Sequence, residues 1–132
     1  MKLAVITIAM LLFTAGFVHG QSTSELVYSP NDVDTEPEPD GGMQAFYQAW
    51  SKKITYPTEA RRKGIQGKTF ISFIITETGM VTNYEVLQGL GGGCDEAAIQ
   101  AMKATNINWS PGIKDGKKVK VKKVLPFVFK LG

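Results

Sequence analysis

Apolar side chains recur with a helical period over residues 43–53 and with a strand period further along, and the switch between the two lays out the domain. Met43, Phe46, Tyr47 and Trp50 fall at i, i+3, i+4 and i+7, which makes one stripe of a helix that packs into a core. Tyr56-Pro57 predicts a second, short helix, because proline at a first helical position gives up an N–H that has no partner there anyway. Ala60 is its inward residue, Arg61, Arg62 and Lys63 are solvated, and Gly64 suits a left-handed stop. Residues 68–76 then alternate, with Thr69, Ile71, Phe73 and Ile75 on one face and Phe70, Ser72 and Ile74 on the other. Both faces are partly apolar, so this strand is expected inside a sheet and covered on both sides. Glu77-Thr78-Gly79 makes a hairpin turn, and residues 81–88 return.

A glycine-rich stretch, residues 90–93, leads into a third helix over residues 94–105. Asp95 and Glu96 sit at the positive end of its dipole, and Ala98, Ile99 and Met102 form its buried stripe. Gly91-Gly92-Gly93 has neither the lysine of a phosphate-binding loop nor the spacing of a dinucleotide fingerprint, so it reads as a flexible connection. Trp109 is expected over the sheet, with turns at Pro111-Gly112 and Asp115-Gly116. Residues 117–131 read as one last strand through Val119, Val121, Leu125, Phe127, Phe129 and Leu131, interrupted on the apolar face by Lys123. Pro126 cannot donate to a ladder and marks this strand as an edge. Helix, helix, strand, strand, helix, strand is the order of an α+β domain: a small antiparallel three-stranded sheet (β-β-α-β) with the preceding helices packed on one face.

Two N-terminal segments stand outside this pattern. Residues 3–18 are mostly apolar behind Lys2, and Val18-His19-Gly20 places small residues before Gln21, as in a cleaved secretory signal over residues 1–20. The run falls short of the roughly 20 apolar residues of a spanning helix; an uncleaved inner-membrane anchor is the alternative. Cleavage would remove His19, the single histidine, and with it any Ser/His or Cys/His couple. Residues 21–42 read as an acidic linker rich in proline, with too little apolar surface to offset the entropy of ordering it. Stretched out, that segment would reach at most about 80 Å.

Charge changes the picture at one place. Residues 21–40 carry six carboxylates and no Lys or Arg, whereas residues 41–132 carry 14 Lys and Arg against 6 Asp and Glu, a net of +8. Six lysines crowd the start of the last strand: Lys114, Lys117, Lys118, Lys120, Lys122 and Lys123. Lysines on an edge strand resist aggregation; they also steer an acidic partner. Nucleic acid is disfavoured, since no aromatics interleave with them. The acidic segment is expected to fold over this basic edge and compete with an acidic peptide.

Little else carries chemistry. Cys94 is the single cysteine and reads either as a small buried residue or as a thiol activated by a helix N-terminus, with no neighbouring base. Asp95 and Glu96 are adjacent and diverge on a helix, and Ser72 and Ser110 have no base. No catalytic set, metal site or cofactor site is expected, and the chain does not read as an enzyme. An open last strand, by contrast, offers a row of unpaired N–H and C=O groups to which an extended peptide can add.

The ordered string Tyr56-Pro57, Ala60, Gly64, Gly67, Gly79, Val81, Gly93-Cys94-Asp95, Ala98, Trp109, Pro111-Gly112, Gly116, Val119, Pro126 and Phe129 resembles the TonB C-terminal domain family. It is closest to the form common in Bacteroidetes, in which an acidic, proline-containing stretch and Gly41-Gly42-Met43 precede the first helix. The resemblance spans about residues 34–131 and implies a periplasmic domain over residues 43–132. Its last strand would pair with the N-terminal peptide segment of an outer-membrane TonB-dependent transporter. Carried over, the partner-binding residues are Lys118, Val119, Lys120, Val121, Lys122, Lys123 and Val124, with Ile54, Thr55 and Tyr56 from the loop after the first helix. Three other readings stay open: an energy transducer anchored by residues 3–18, a structural homodimer made by pairing two last strands, and a thiol enzyme using Cys94.

Overall fold

The computed structural model describes residues 26–132; the expected signal segment, residues 1–20, and residues 21–25 lie outside them. The central element is a nine-residue strand, β2 (Gly67–Ile75), reached after β1 (Glu38–Pro39), α1 (Gly42–Lys53) and α2 (Thr58–Lys63). Beyond it come β3 (Val81–Gln88), α3 (Cys94–Ala104), β4 (Trp109–Ser110), β5 (Gly112–Lys114), β6 (Lys117–Val119) and β7 (Val121–Phe129). The main sheet is antiparallel in the order β3-β2-β7, and two small ladders join β1 to β4 and β5 to β6. The domain is α+β with helices on one face of a three-stranded sheet.

The helical stripe does what its spacing predicts. Phe46 and Trp50 are fully buried, and the Trp50 indole N–H donates to the Ala98 carbonyl at 2.9 Å, joining α1 to α3. The Trp50 ring packs 4.7 Å from Phe127, Phe46 packs 5.2 Å from Trp109, and Trp109 packs 5.6 Å from Phe73. Truncating one such buried ring costs about 3–5 kcal/mol, so this aromatic cluster fixes the helices to the sheet. Thr69, Ile71, Phe73 and Ile75 all point into this side and are buried. The opposite face is covered less fully than expected: Ser72 is buried there, Phe70, Ile74 and Pro126 are half-buried, and Val124 and Val128 are exposed.

Glycines act where the backbone needs them. Gly79 has φ +86 in the β2–β3 turn, directly against the Trp109 carbonyl, which leaves no room for a side chain. The glycine-rich stretch is not a loose connection. Gly91, Gly92 and Gly93 are all left-handed, and the Asp95 carboxylate accepts the backbone N–H groups of Leu90 (2.9 Å) and Gly91 (3.1 Å). At Gly92 a Cβ would lie 2.7 Å from Ile65 Cδ1. Asp95 thus holds the loop shut against α2, a role that composition alone does not reveal.

Two expectations are corrected. The single last strand is two strands that pair with different partners: Lys117–Val119 folds back on Gly112–Lys114 across the expected Asp115-Gly116 turn, whereas Val121–Phe129 pairs with β2. The chain leaves that hairpin at Lys120 and only then enters β7. The acidic segment is not an unstructured linker over its described part, residues 26–42. Pro37 is fully buried and Thr35 exchanges backbone bonds with Ile113 (3.1 and 2.9 Å). Glu38 and Pro39 pair with Ser110 and Trp109. Few apolar residues suffice here because the chain segment at 108–115 supplies the partner groups.

Candidate functional site: the outer edge of the last strand

β7 pairs with β2 along nine consecutive residue pairs, from Gly67–Phe129 to Ile75–Val121, without a register shift. Its other side is the free border of the sheet. Which of its groups face that border is set by two contacts. The Lys122 N–H donates to the Tyr28 carbonyl at 2.9 Å, and the Tyr28 N–H donates to the Lys120 carbonyl at 2.9 Å. Further along, the Tyr47 hydroxyl donates to the Pro126 carbonyl at 3.0 Å. Both contacts fall on even-numbered residues, as the two-residue repeat of a strand requires, so the Val124 backbone groups face the same way. Between the two tyrosines, the Lys122 carbonyl and the Val124 N–H and carbonyl have no backbone partner among the described residues.

The expected vacant row is therefore short. Tyr28 lies parallel to the edge opposite Val121, and Tyr47 closes it at Pro126, a residue with no N–H of its own. Burial pushes the Tyr47 phenol above its ordinary pKa, which keeps it a donor.

The anticipated residues of the last strand separate into three groups. Lys118 and Val119 belong to β6 and face Ile113 and Gly112; Lys120 is the joint; Val121, Lys122, Lys123 and Val124 start β7. Val121 is fully buried, so its side chain is core and only its neighbours meet solvent. Lys123 lies on the inner face with its Nζ 3.6 Å from Glu36 Oε1, and Lys122 Nζ stands 4.0 Å from Glu85 Oε1. Lys114 covers the Tyr28 ring at 5.5 Å. A groove lined by Leu26, Tyr28, Glu77, Lys117, Lys118, Val119 and Lys120 adjoins this end of the strand.

Ile54, Thr55 and Tyr56 are at the opposite end. Ile54 caps α1, the Tyr56 hydroxyl donates to the Ile65 carbonyl, and the Tyr56 ring meets Phe129 edge-on at 5.4 Å. Residues 121 and 129 are separated by roughly 26 Å of strand. The structure does not gather the two groups into one pocket; only an extended chain laid along β7 would touch both.

The thiol reading loses its support. Cys94 is fully buried, and burial, followed by the carboxylates of Asp95 and Glu96, pushes its pKa up rather than down. Among the described residues no group of three or more His, Cys, Asp or Glu is placed to hold a metal ion.

Sequence reasoning missed Tyr28 and Tyr47 as edge residues. The signal for Tyr28 was the short apolar run Leu26-Val27-Tyr28 inside a polar, acidic segment. Tyr47 carried none beyond its place in the helical stripe.

Residues 52–131 match the family model of the Gram-negative bacterial TonB protein C-terminal domain. Among solved structures, a solution NMR structure of the Helicobacter pylori TonB C-terminal domain is 26% identical, with 67% of this chain and 79% of that chain covered and a TM-score of 0.51. A second Helicobacter pylori structure of that domain covers 66% of this chain and 90% of its own at 26% identity, with a TM-score of 0.48. The Pseudomonas aeruginosa TonB C-terminal domain is 30% identical over 59% of this chain and 78% of its own, with a TM-score of 0.42. No curated protein gives a match to the chain.

Proposed function

This chain belongs to the TonB C-terminal family, and on that premise we propose that it is a docking module which binds the extended N-terminal segment of an outer-membrane TonB-dependent transporter by strand addition. Family membership ties it to TonB-dependent transport through a non-catalytic interaction domain of periplasmic type. The observation that carries the finer reading is the border of β7, regular over nine pairs and with open groups at Lys122 and Val124. A guest backbone placed there gains charge-neutral ladder bonds, and the surrounding lysines favour a guest that bears carboxylates.

The test is a titration of the isotope-labelled chain with synthetic transporter N-terminal peptides. Amide shifts are expected at Lys118, Lys120, Lys122 and Val124. Peptide binding that leaves these amides unmoved, or no binding at all, would overturn the assignment. The chain acts in the periplasm with residues 1–20 removed. N-terminal sequencing of the periplasmic protein is expected to begin at Gln21, and a start at Met1 in a membrane fraction would favour the anchored transducer instead.

A further inference from the structure

We infer that residues 26–33 form a displaceable latch on the docking edge, so that a transporter peptide must evict Tyr28 from Lys120 and Lys122 before it pairs; the inference rests on the docking reading above.

The N-terminal segment is held in two unequal halves. Residues 34–40 are built in. The Asp34 carboxylate accepts the Asp115 N–H at 2.8 Å, and the Asp34 N–H donates to the Ile113 carbonyl at 2.8 Å. Thr35 bridges Ile113, Glu38 pairs with Ser110, the Asp40 N–H donates to the Asn108 carbonyl at 2.9 Å, and Pro37 and Pro39 are buried. Residues 26–33 have far less. Leu26 is 61% exposed and Val27 36%. The 3-10 turn Pro30–Asp32 lies beside β7 without burying any of its residues, and its side-chain bond, from Ser29 Oγ to the Asp32 carboxylate, is internal. The polar hold on the sheet is the pair of Tyr28 backbone bonds and the Lys114 ammonium over the Tyr28 ring. Extended backbone at Val33 (φ −116, ψ 159) joins the two halves.

The latch and a guest claim the same atoms. Tyr28 takes the Lys120 carbonyl, at the joint before β7, and the Lys122 N–H, the first outward donor of β7. A guest that pairs from Lys120 to Val124 needs both. The acidic segment thus competes through its backbone at Tyr28, with Glu36 on Lys123 its one ion pair to a lysine of the edge among the described residues. Electrostatic competition fades with added salt; competition for hydrogen-bonding atoms does not.

The test compares the full chain with Tyr28→Pro, which removes the one N–H donated to Lys120, and with a chain lacking residues 26–33 as a second variant. The probes are the transporter N-terminal peptides. Both variants are expected to bind about tenfold more tightly, as loss of one or two competing hydrogen bonds implies. The ratio to the parent should be the same at low salt and at about 1 M salt. In the absence of peptide, hydrogen exchange at the Lys122 amide should be faster in both variants. Equal or weaker peptide affinity in both variants would overturn the latch while leaving the docking reading in place, as would a gain that disappears at high salt. Binding to none of the three chains would overturn the docking reading and the latch together.

Discussion

The main sheet has two borders, and the chain treats them differently. The β3 border is irregular. Its register against β2 shifts twice, Asn83 is forced to φ 54, and Val86 and Leu87 are at the surface. Bulges of this kind twist a strand away from flat pairing and blunt it as a template. The β7 border is straight, packed on its inner face by Leu125, Phe127 and Phe129, and guarded by two tyrosines instead of by distortion. The distorted border does not present a flat ladder. The straight border keeps its outward groups in ladder register and is covered at two points. The contrast teaches that, of the two edges, β7 keeps the regular geometry on which the docking proposal rests.

The largest test of this contrast shortens one side chain on each border strand, a buried one on β7 and a surface one on β3. Phe127→Ala removes a ring 4.7 Å from Trp50 and 5.3 Å from Phe129. It is expected to cost about 3–5 kcal/mol by urea unfolding. Val86→Ala, at a side chain already 36% exposed, is expected to cost under about 1 kcal/mol. Equal losses would mean that β7 is no more firmly seated than β3.

Val124→Pro comes next. It removes one main-chain donor that faces the open border, as Pro126 already does one step further along. Stability is expected to stay within about 0.5 kcal/mol of the parent. Peptide affinity is expected to fall at least about tenfold, or about 1.4 kcal/mol. Retained affinity would move the docking site to another surface.

A smaller effect is expected from Tyr47→Phe, which frees the Pro126 carbonyl. Loss of that hydrogen bond should lower unfolding stability by about 0.5–1.5 kcal/mol; no loss would mean the hydroxyl guards nothing. The smallest effect is one of pH. The Tyr47 phenol is held above its ordinary range by burial, so the folded chain keeps that proton longer than the unfolded chain does. Its contribution is complete below about pH 10 and disappears as pH climbs through the raised value. The parent should lose more stability than Tyr47→Phe over that climb, and parallel curves would count against a phenol pKa raised by burial.

Most of the frame was legible in the sequence, and the reasons differ by element. Phe46 and Trp50 announced α1 because their spacing has one reading, and Gly79 announced its turn because few residues tolerate its φ. The inward set of β2 followed from simple alternation. The break at Lys120 was not legible, since Val119 and Val121 continue the same alternation across it and three-residue strands have no period of their own. Nor was the Tyr28 bridge: a single paired residue leaves no pattern, and the buried Pro37 sits in a stretch whose composition reads as solvated. Of the candidate edge, the strand and the lysines beside it were legible in the sequence. What covers it was not, because cover is made by groups distant in sequence and chosen for backbone position, not for side-chain type.

Pro126 has one more consequence. On the docking reading proposed above, a visitor that displaces Tyr28 meets outward groups at Lys120, Lys122 and Val124, and then a position with no N–H whose oxygen is already taken by Tyr47. That uninterrupted stretch is roughly 13 Å long, so about four or five residues of a guest would lie in one continuous ladder before the gap at Pro126.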